Sequence, residues 1–180
     1  MATRTRVGMA LLAFVGFLAA PVAAQQVVKE NIPGIVNFAG VETTVACGGP
    51  IKPNGVAELK KRGFKAIVNL QLADEPTADI PGESAAAGAA GLNYVHVPFL
   101  MASPDPTAVD RFLKAVGDPA NQPAYIHCGG GNRAAGLWMI KRVLVDGWAI
   151  DRATKEAEAL GMTNPAMKTF ALDYIQSHSR

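Results

Sequence analysis

The stretch from Tyr125 to Trp138 constrains this chain more than any other. A short apolar strand ending in His127 runs into Cys128, then Gly129, Gly130 and Gly131, then Asn132 and Arg133 at the head of an amphipathic helix. A strand that empties through glycines into a helix N-terminus turns a ring of backbone N–H groups towards whatever occupies the bend. The helix dipole adds positive potential at the same place, so the bend favours an anion. That potential also favours the thiolate form of a cysteine held there. Arg133 adds a forked, permanently charged contact for two oxyanion oxygens. Nucleophile, anion cradle and arginine lie within six residues, which is the chemistry of a cysteine enzyme acting on phosphate or on sulfur.

The rest of the chain supplies the strands and helices that such a bend needs. Ile35 to Cys47 mixes β-branched and polar residues and predicts one or two strands, broken at Gly48-Gly49-Pro50. Residues 25–34 read as a poorly specified lead-in. Pro53 to Arg62 predicts a short helix closed by Gly63, followed by a buried strand over Phe64–Leu70. A loop from Gln71 to Gly82 carries Asp74 and Glu75, and an alanine-rich helix is expected over Glu83–Ala90. Tyr94 to Val97 predicts a strand halted by Pro98. Asp105-Pro106 reads as an N-cap with proline at the first helical position. Val109, Phe112, Leu113 and Val116 then form a core-facing stripe. Ala124–His127 is the strand that feeds the bend. Three helices follow it, the first largely buried through Leu137, Met139, Ile140 and Leu144, the others over 151–160 and 165–176, with Trp138 and Trp148 expected in the core. Alternating strands and helices predict an α/β fold, a mostly parallel central sheet flanked by helices, with Cys128 at a strand's carboxyl end.

Composition narrows the setting. Residues 1–24 carry Arg4 and Arg6, an apolar run from Val7 to Ala20, and Val22 and Ala24 at the positions a signal peptidase requires. This predicts a signal peptide over 1–24 and one domain over 25–180, periplasmic or secreted, with no stable membrane association after cleavage. The formal charge of +2 belongs to the leader's two arginines. What remains is near neutral, and nothing points to nucleic acid. The 3 histidines have no spacing that suits a metal site. His96 reads as a satisfied strand histidine, His178 lies in the tail, and no cofactor is expected.

His127-Cys128-Gly129-Gly130-Gly131-Asn132-Arg133 resembles the active-site loop of cysteine-dependent, dual-specificity-like protein tyrosine phosphatases. It is most similar to the bacterial beta-lactamase-hydrolase-like phosphatase domains. The segments 63–70, 91–98 and 127–133 stand in the order and spacing such domains show, and Gly48-Gly49-Pro50 is similar to their entry segment. The resemblance implies a phosphatase-like fold and a phosphorylated small molecule or phosphoprotein as partner. It implies that Cys128 attacks phosphorus to form a phosphocysteine. Arg133 and the amides of Gly129 to Asn132 then hold the equatorial oxygens. It implies a general acid on the preceding loop, for which Asp105 is the candidate and a plain helix cap the alternative; Asp74 is a weaker candidate. His127 is expected to hydrogen-bond the loop backbone and shape it.

Two departures from that pattern keep other readings open. Four residues separate Cys128 from Arg133, where tyrosine phosphatases have five, and Ala134 stands where a serine or threonine usually helps the thiolate leave. A six-residue loop resembles that of rhodaneses, which carry a persulfide. The alternatives are therefore a rhodanese-like sulfurtransferase or persulfide carrier, and a catalytically silent anion-binding module. Cys47 is a possible redox partner of Cys128, or else a buried thiol that only packs.

Overall fold

The computed structural model describes residues 26–41 and 44–179; the leader predicted over 1–24 lies outside the described residues. Six strands form one sheet in the order β1-β2-β3-β6-β4-β5. They are β1 (Val27–Lys29), β2 (Ala39–Val41), β3 (Val45–Gly48), β4 (Ala66–Asn69), β5 (Asn93–His96) and β6 (Ala124–His127). β3, β6, β4 and β5 run parallel, and β1 and β2 add an antiparallel edge. The helices are α1 (Pro53–Lys61), α2 (Ile80–Ala89), α3 (Pro106–Gly117), α4 (Asn132–Leu144), α5 (Ile150–Leu160) and α6 (Pro165–His178).

Side-chain alternation along the strands builds two cores, because successive residues face opposite sides of a sheet. Val45 and Cys47, Ala66 and Val68, and Ala124 and Ile126 face one side. There they pack against Phe112 of α3, Leu137 and Ile140 of α4, Ala157 of α5 and Met167 of α6. Ala46, Ile67 and Tyr125 face the other side, against Val56 and Leu59 of α1 and Ala87 of α2. The same alternation sends Cys128 towards the larger core and His127 towards α2.

The sheet and helices predicted from the sequence are present, with three differences. The lead-in over 25–34 contains strand β1. Three residues carry no periodic signal, and antiparallel pairing of Val27 with Val41 and Lys29 with Ala39 is what orders them. Helix α2 begins at Ile80, three residues before Glu83, because the Asp79 side chain accepts from the Gly82 N–H and Pro81 sits in the first turn. Trp148 is only partly buried and lies beneath two guanidinium groups, Arg142 at 4.1 Å and Arg152 at 3.4 Å from its ring centre, whereas Trp138 is buried as expected. Among the described residues, no helix is long and apolar enough to cross a membrane.

Candidate active site

Strand β6 delivers Cys128 to the carboxyl edge of the sheet, where β3 and β4 end beside it. The Cys128 N–H donates to the Gly48 carbonyl at 3.3 Å, and the Leu70 N–H donates to the His127 carbonyl at 2.9 Å. The Gly48-Gly49-Pro50 turn is thus the immediate neighbour of the reactive bend. Gly131 adopts φ +107°, a left-handed conformation that suits glycine, and this lets the chain turn directly into α4. At that turn the Gly131 N–H points back at Cys128 Sγ, 3.2 Å away. The donor is aimed at the sulfur itself.

Arg133 sits in the first turn of α4 with its guanidinium between a carboxylate and that sulfur. Nη1 donates to Glu75 Oε1 at 2.6 Å and to the carbonyls of Phe99 and Leu70 at 3.0 and 3.2 Å; Nη2 donates to Glu75 Oε2 at 2.7 Å. Burial works against the guanidinium's charge. The Glu75 hydrogen bond and the neighbouring Cys128 charge outweigh it, so Arg133 stays charged. Burial likewise opposes the charge on Glu75. Hydrogen bonds from Arg133 and the Leu72 amide overcome that and hold its carboxyl below the ordinary glutamate value. The pair is mostly enclosed, with side chains 14% and 21% exposed. Glu75 Oε2 would lie 3.3 Å from a Cβ built on Gly129, so the clamp stands directly over the glycine loop.

The remaining predicted residues take distinct places. Gly130 faces an open cleft of about 700 Å³ lined also by Lys29, Asn37, Asn132 and Thr163. Gly129 faces a second cleft of about 650 Å³ with Pro33, Val36, Pro50 and Thr77. Asn37, itself at φ +53°, donates from Nδ2 to the Gly130 carbonyl at 3.4 Å. The Asn132 side chain turns away from the bend and accepts from the Thr163 and Asn164 N–H groups, both at 2.7 Å. His127 differs from expectation. Its ring is fully buried and bonds Glu83 Oε2 at 3.1 Å, not the loop backbone, because strand alternation aims it at α2. His96 is satisfied by the Gln71 carbonyl at 2.8 Å.

Asp105 is the N-cap of α3. Its Oδ1 accepts from the Thr107 N–H at 2.9 Å and its Oδ2 from the Thr107 hydroxyl at 2.7 Å. These bonds from Thr107 hold its carboxyl below the ordinary value. Both cysteines are free, and Cys47 lies one strand over from β6, in register with Ile126. Burial, then the charge of Cys128, pushes the Cys47 thiol well above its usual range. No group of three or more His, Cys, Asp and Glu among the described residues is arranged for a metal.

A cysteine, a backbone donor aimed at its sulfur and a clamped arginine stand together at the end of a parallel strand, and sequence comparison supplies the family. The family described as DSP-PTPase phosphatase fused to NAD+ kinase matches residues 21–174. The chain belongs to this phosphatase family. A beta-lactamase hydrolase-like protein of Agrobacterium fabrum is 34% identical over 93 residues, covering 48% of this chain and 20% of that protein. The chain therefore spans about a fifth of that curated relative's length. Solved structures of cysteine-dependent phosphatases share the fold at low identity. A Shewanella putrefaciens DUF442 phosphatase aligns with TM-score 0.66 at 17% identity, over 80% of this chain and 93% of its own. The core catalytic domain of the Saccharomyces cerevisiae PP-IP phosphatase Siw14 gives 0.64 at 19%, over 82% and 93%. Pseudomonas aeruginosa TpbA gives 0.63 at 21%, over 88% and 92%.

Sequence reasoning passed over four residues of this site: Asn69, Gln71, Glu75 and Glu83. Each carried a faint signal. Asn69 is a polar residue closing an apolar strand, Glu83 an acid in an alanine-rich helix, and Gln71 and Glu75 begin and centre the loop that follows β4.

Proposed function

We propose that this chain is an exported phosphatase that hydrolyses phosphomonoesters through a phosphocysteine on Cys128. The observation that carries the reading is the Gly131 N–H aimed at Cys128 Sγ beside an Arg133 fork already fixed by Glu75. The thiolate attacks phosphorus, the P–O bond breaks, and the leaving oxygen takes a proton from solvent, which the later attack of water returns. Water then attacks the phosphocysteine, the P–S bond breaks, and phosphate leaves as the thiolate is restored. Arg133 and the amides of Gly129 to Asn132 hold the phosphoryl oxygens through both steps, a preorganised contribution of several kcal/mol. The substrate is a phosphorylated small molecule or phosphoprotein; the solved complex of a cysteine-to-serine variant of Pseudomonas aeruginosa TpbA with phosphotyrosine supports the second class. Export is supported by the arginine-flanked apolar run and small-residue cleavage site of residues 1–24.

The six-residue loop and Ala134 favour sulfur transfer as the second reading. A paired assay on wild type and Cys128→Ser separates them. The phosphatase reading expects phosphate release from an aryl phosphate, abolished in Cys128→Ser. A gain of one sulfur on Cys128 after thiosulfate or polysulfide treatment, with no phosphate release by the reduced protein across about pH 5–8, overturns it for the sulfurtransferase. Anion binding with neither activity overturns it for the silent module.

A further inference from the structure

One buried carboxylate lies behind the site and is used by none of the steps above. Glu83, on α2, is only 5% exposed. Its Oε2 accepts from Asn69 Nδ2 at 2.6 Å, Tyr94 Oη at 3.1 Å and His127 Nε2 at 3.1 Å. A carboxylate taken out of water requires such donors, and those from Asn69 and His127 fix its direction along the two chains of contacts that follow. Because a carboxylate only accepts, it also dictates its partners' geometry. His127 must carry its proton on Nε2, and the Asn69 amide must turn its NH₂ towards Glu83.

Two arms leave this point. The first is short: His127 precedes Cys128 on β6, and its ring is gripped between Glu83 and the Tyr125 ring, 5.6 Å away and nearly parallel. The second runs through Asn69, whose Oδ1 accepts from the Gln71 N–H at 2.7 Å. Gln71 Nε2 donates to Thr77 Oγ1 at 2.9 Å and reaches Glu75 Oε2 at 3.4 Å, and Glu75 holds the Arg133 fork. The carboxylate thus braces both the strand that delivers the nucleophile and the loop that aims the arginine. Displacements well under the length of a bond at either place change how attack is aligned.

We propose that Glu83 is a positioning residue that sets the nucleophile Cys128 and the Arg133 clamp relative to one another. The proposal rests on the phosphatase reading for its effect on turnover, but its geometry is testable without turnover. Three variants serve. Glu83→Gln keeps the volume and removes the all-acceptor carboxylate. Gln71→Ala cuts only the arm to Glu75. Tyr94→Phe removes one donor to Glu83 and the acceptor that Asn69 Nδ2 reaches at 3.0 Å, but leaves the Glu83–His127, Glu83–Asn69 and Asn69–Gln71 bonds of both arms in place.

With an aryl phosphate, Glu83→Gln is expected to lower kcat about tenfold or more with KM changed less than about threefold, and Tyr94→Phe to stay within about twofold of wild type on both. The second readout is alkylation of Cys128 by iodoacetate, whose carboxylate must enter the Arg133 cradle, followed by peptide mapping. It is run at about pH 9.5, where an ordinary thiol is ionised, so that only geometry differs. Glu83→Gln and Gln71→Ala are expected to react about fivefold more slowly, and Tyr94→Phe at the wild-type rate. A folded Glu83→Gln that reacts at wild-type rates overturns the proposal. So does a Tyr94→Phe that loses as much reactivity as Glu83→Gln for the same loss of melting temperature, which marks a purely structural brace. If Glu83→Gln does not fold, Gln71→Ala decides: slowed alkylation supports the proposal and a wild-type rate overturns it. If wild type is alkylated at Cys128 yet never releases phosphate, the phosphatase reading fails while the alkylation series still decides the role of Glu83.

Discussion

Asp105 shows how one residue type serves two kinds of site. An acid on the loop before the reactive bend suits proton donation, and an acid before a proline suits a helix cap; the sequence allows both. The structure places its two oxygens on Thr107. Asp105→Asn separates the roles cleanly, since asparagine caps as well as aspartate but cannot act as an acid. The cap reading expects kcat within about threefold of wild type, whereas loss of a working general acid costs about 10²–10⁴-fold; steady-state rates on an aryl phosphate decide. Glu75 carries a pH-dependent prediction. Its carboxyl is held below the ordinary value in the folded chain, so the pair with Arg133 stabilises the fold fully above the ordinary glutamate range. That contribution is lost as pH falls through the lower folded value. Melting temperatures of wild type are therefore expected to fall between about pH 5 and pH 3 more steeply than those of Glu75→Gln. Equal slopes would show that the pair carries no linkage.

At the scale of elements, the site is only as well placed as α4, which begins at the bend and carries Arg133. α4 packs tightly on α6 where Gly136 meets the Met167 side chain; a Cβ built on Gly136 would fall inside contact distance of Met167 Cγ and Sδ. Alanine ordinarily stabilises a helix interior by about 1 kcal/mol over glycine. Here overpacking a fully buried methionine, at about 1–3 kcal/mol, outweighs that gain. Gly136→Ala is expected to lower the melting temperature, and a rise would show that Met167 relocates freely. The elements themselves were largely legible in advance. Periodicity marked α3, glycine closed α1, and an apolar run marked β4, because these signals are local. The unpaired look of residues 27–29 hid β1, because a three-residue edge strand exists through its partner. The early start of α2 was hidden by a cap that replaced the expected loop.

For the whole molecule, the proposal of export makes a direct prediction. Expression of the full chain is expected to yield a periplasmic or secreted product beginning at Gln25 by intact mass, and a cytoplasmic product retaining the leader overturns it. The composition of the chain, near neutral once the leader's arginines are set aside, and its alternating strands and helices together specified an α/β sheet with a cysteine at a strand's carboxyl end. The bend itself was equally explicit. Its six residues from Cys128 to Arg133 are contiguous, and their chemistry follows from backbone N–H groups and a helix dipole that any such turn must present. What surrounds the bend was not legible. Glu83 and Asn69 reach His127, and Glu75 reaches Arg133, from 44 to 58 residues away in the chain, carried there by parallel pairing of β4 with β6 and by the placement of α2. Local chemistry is written in neighbouring residues; the groups that hold it still are chosen by which strands lie side by side.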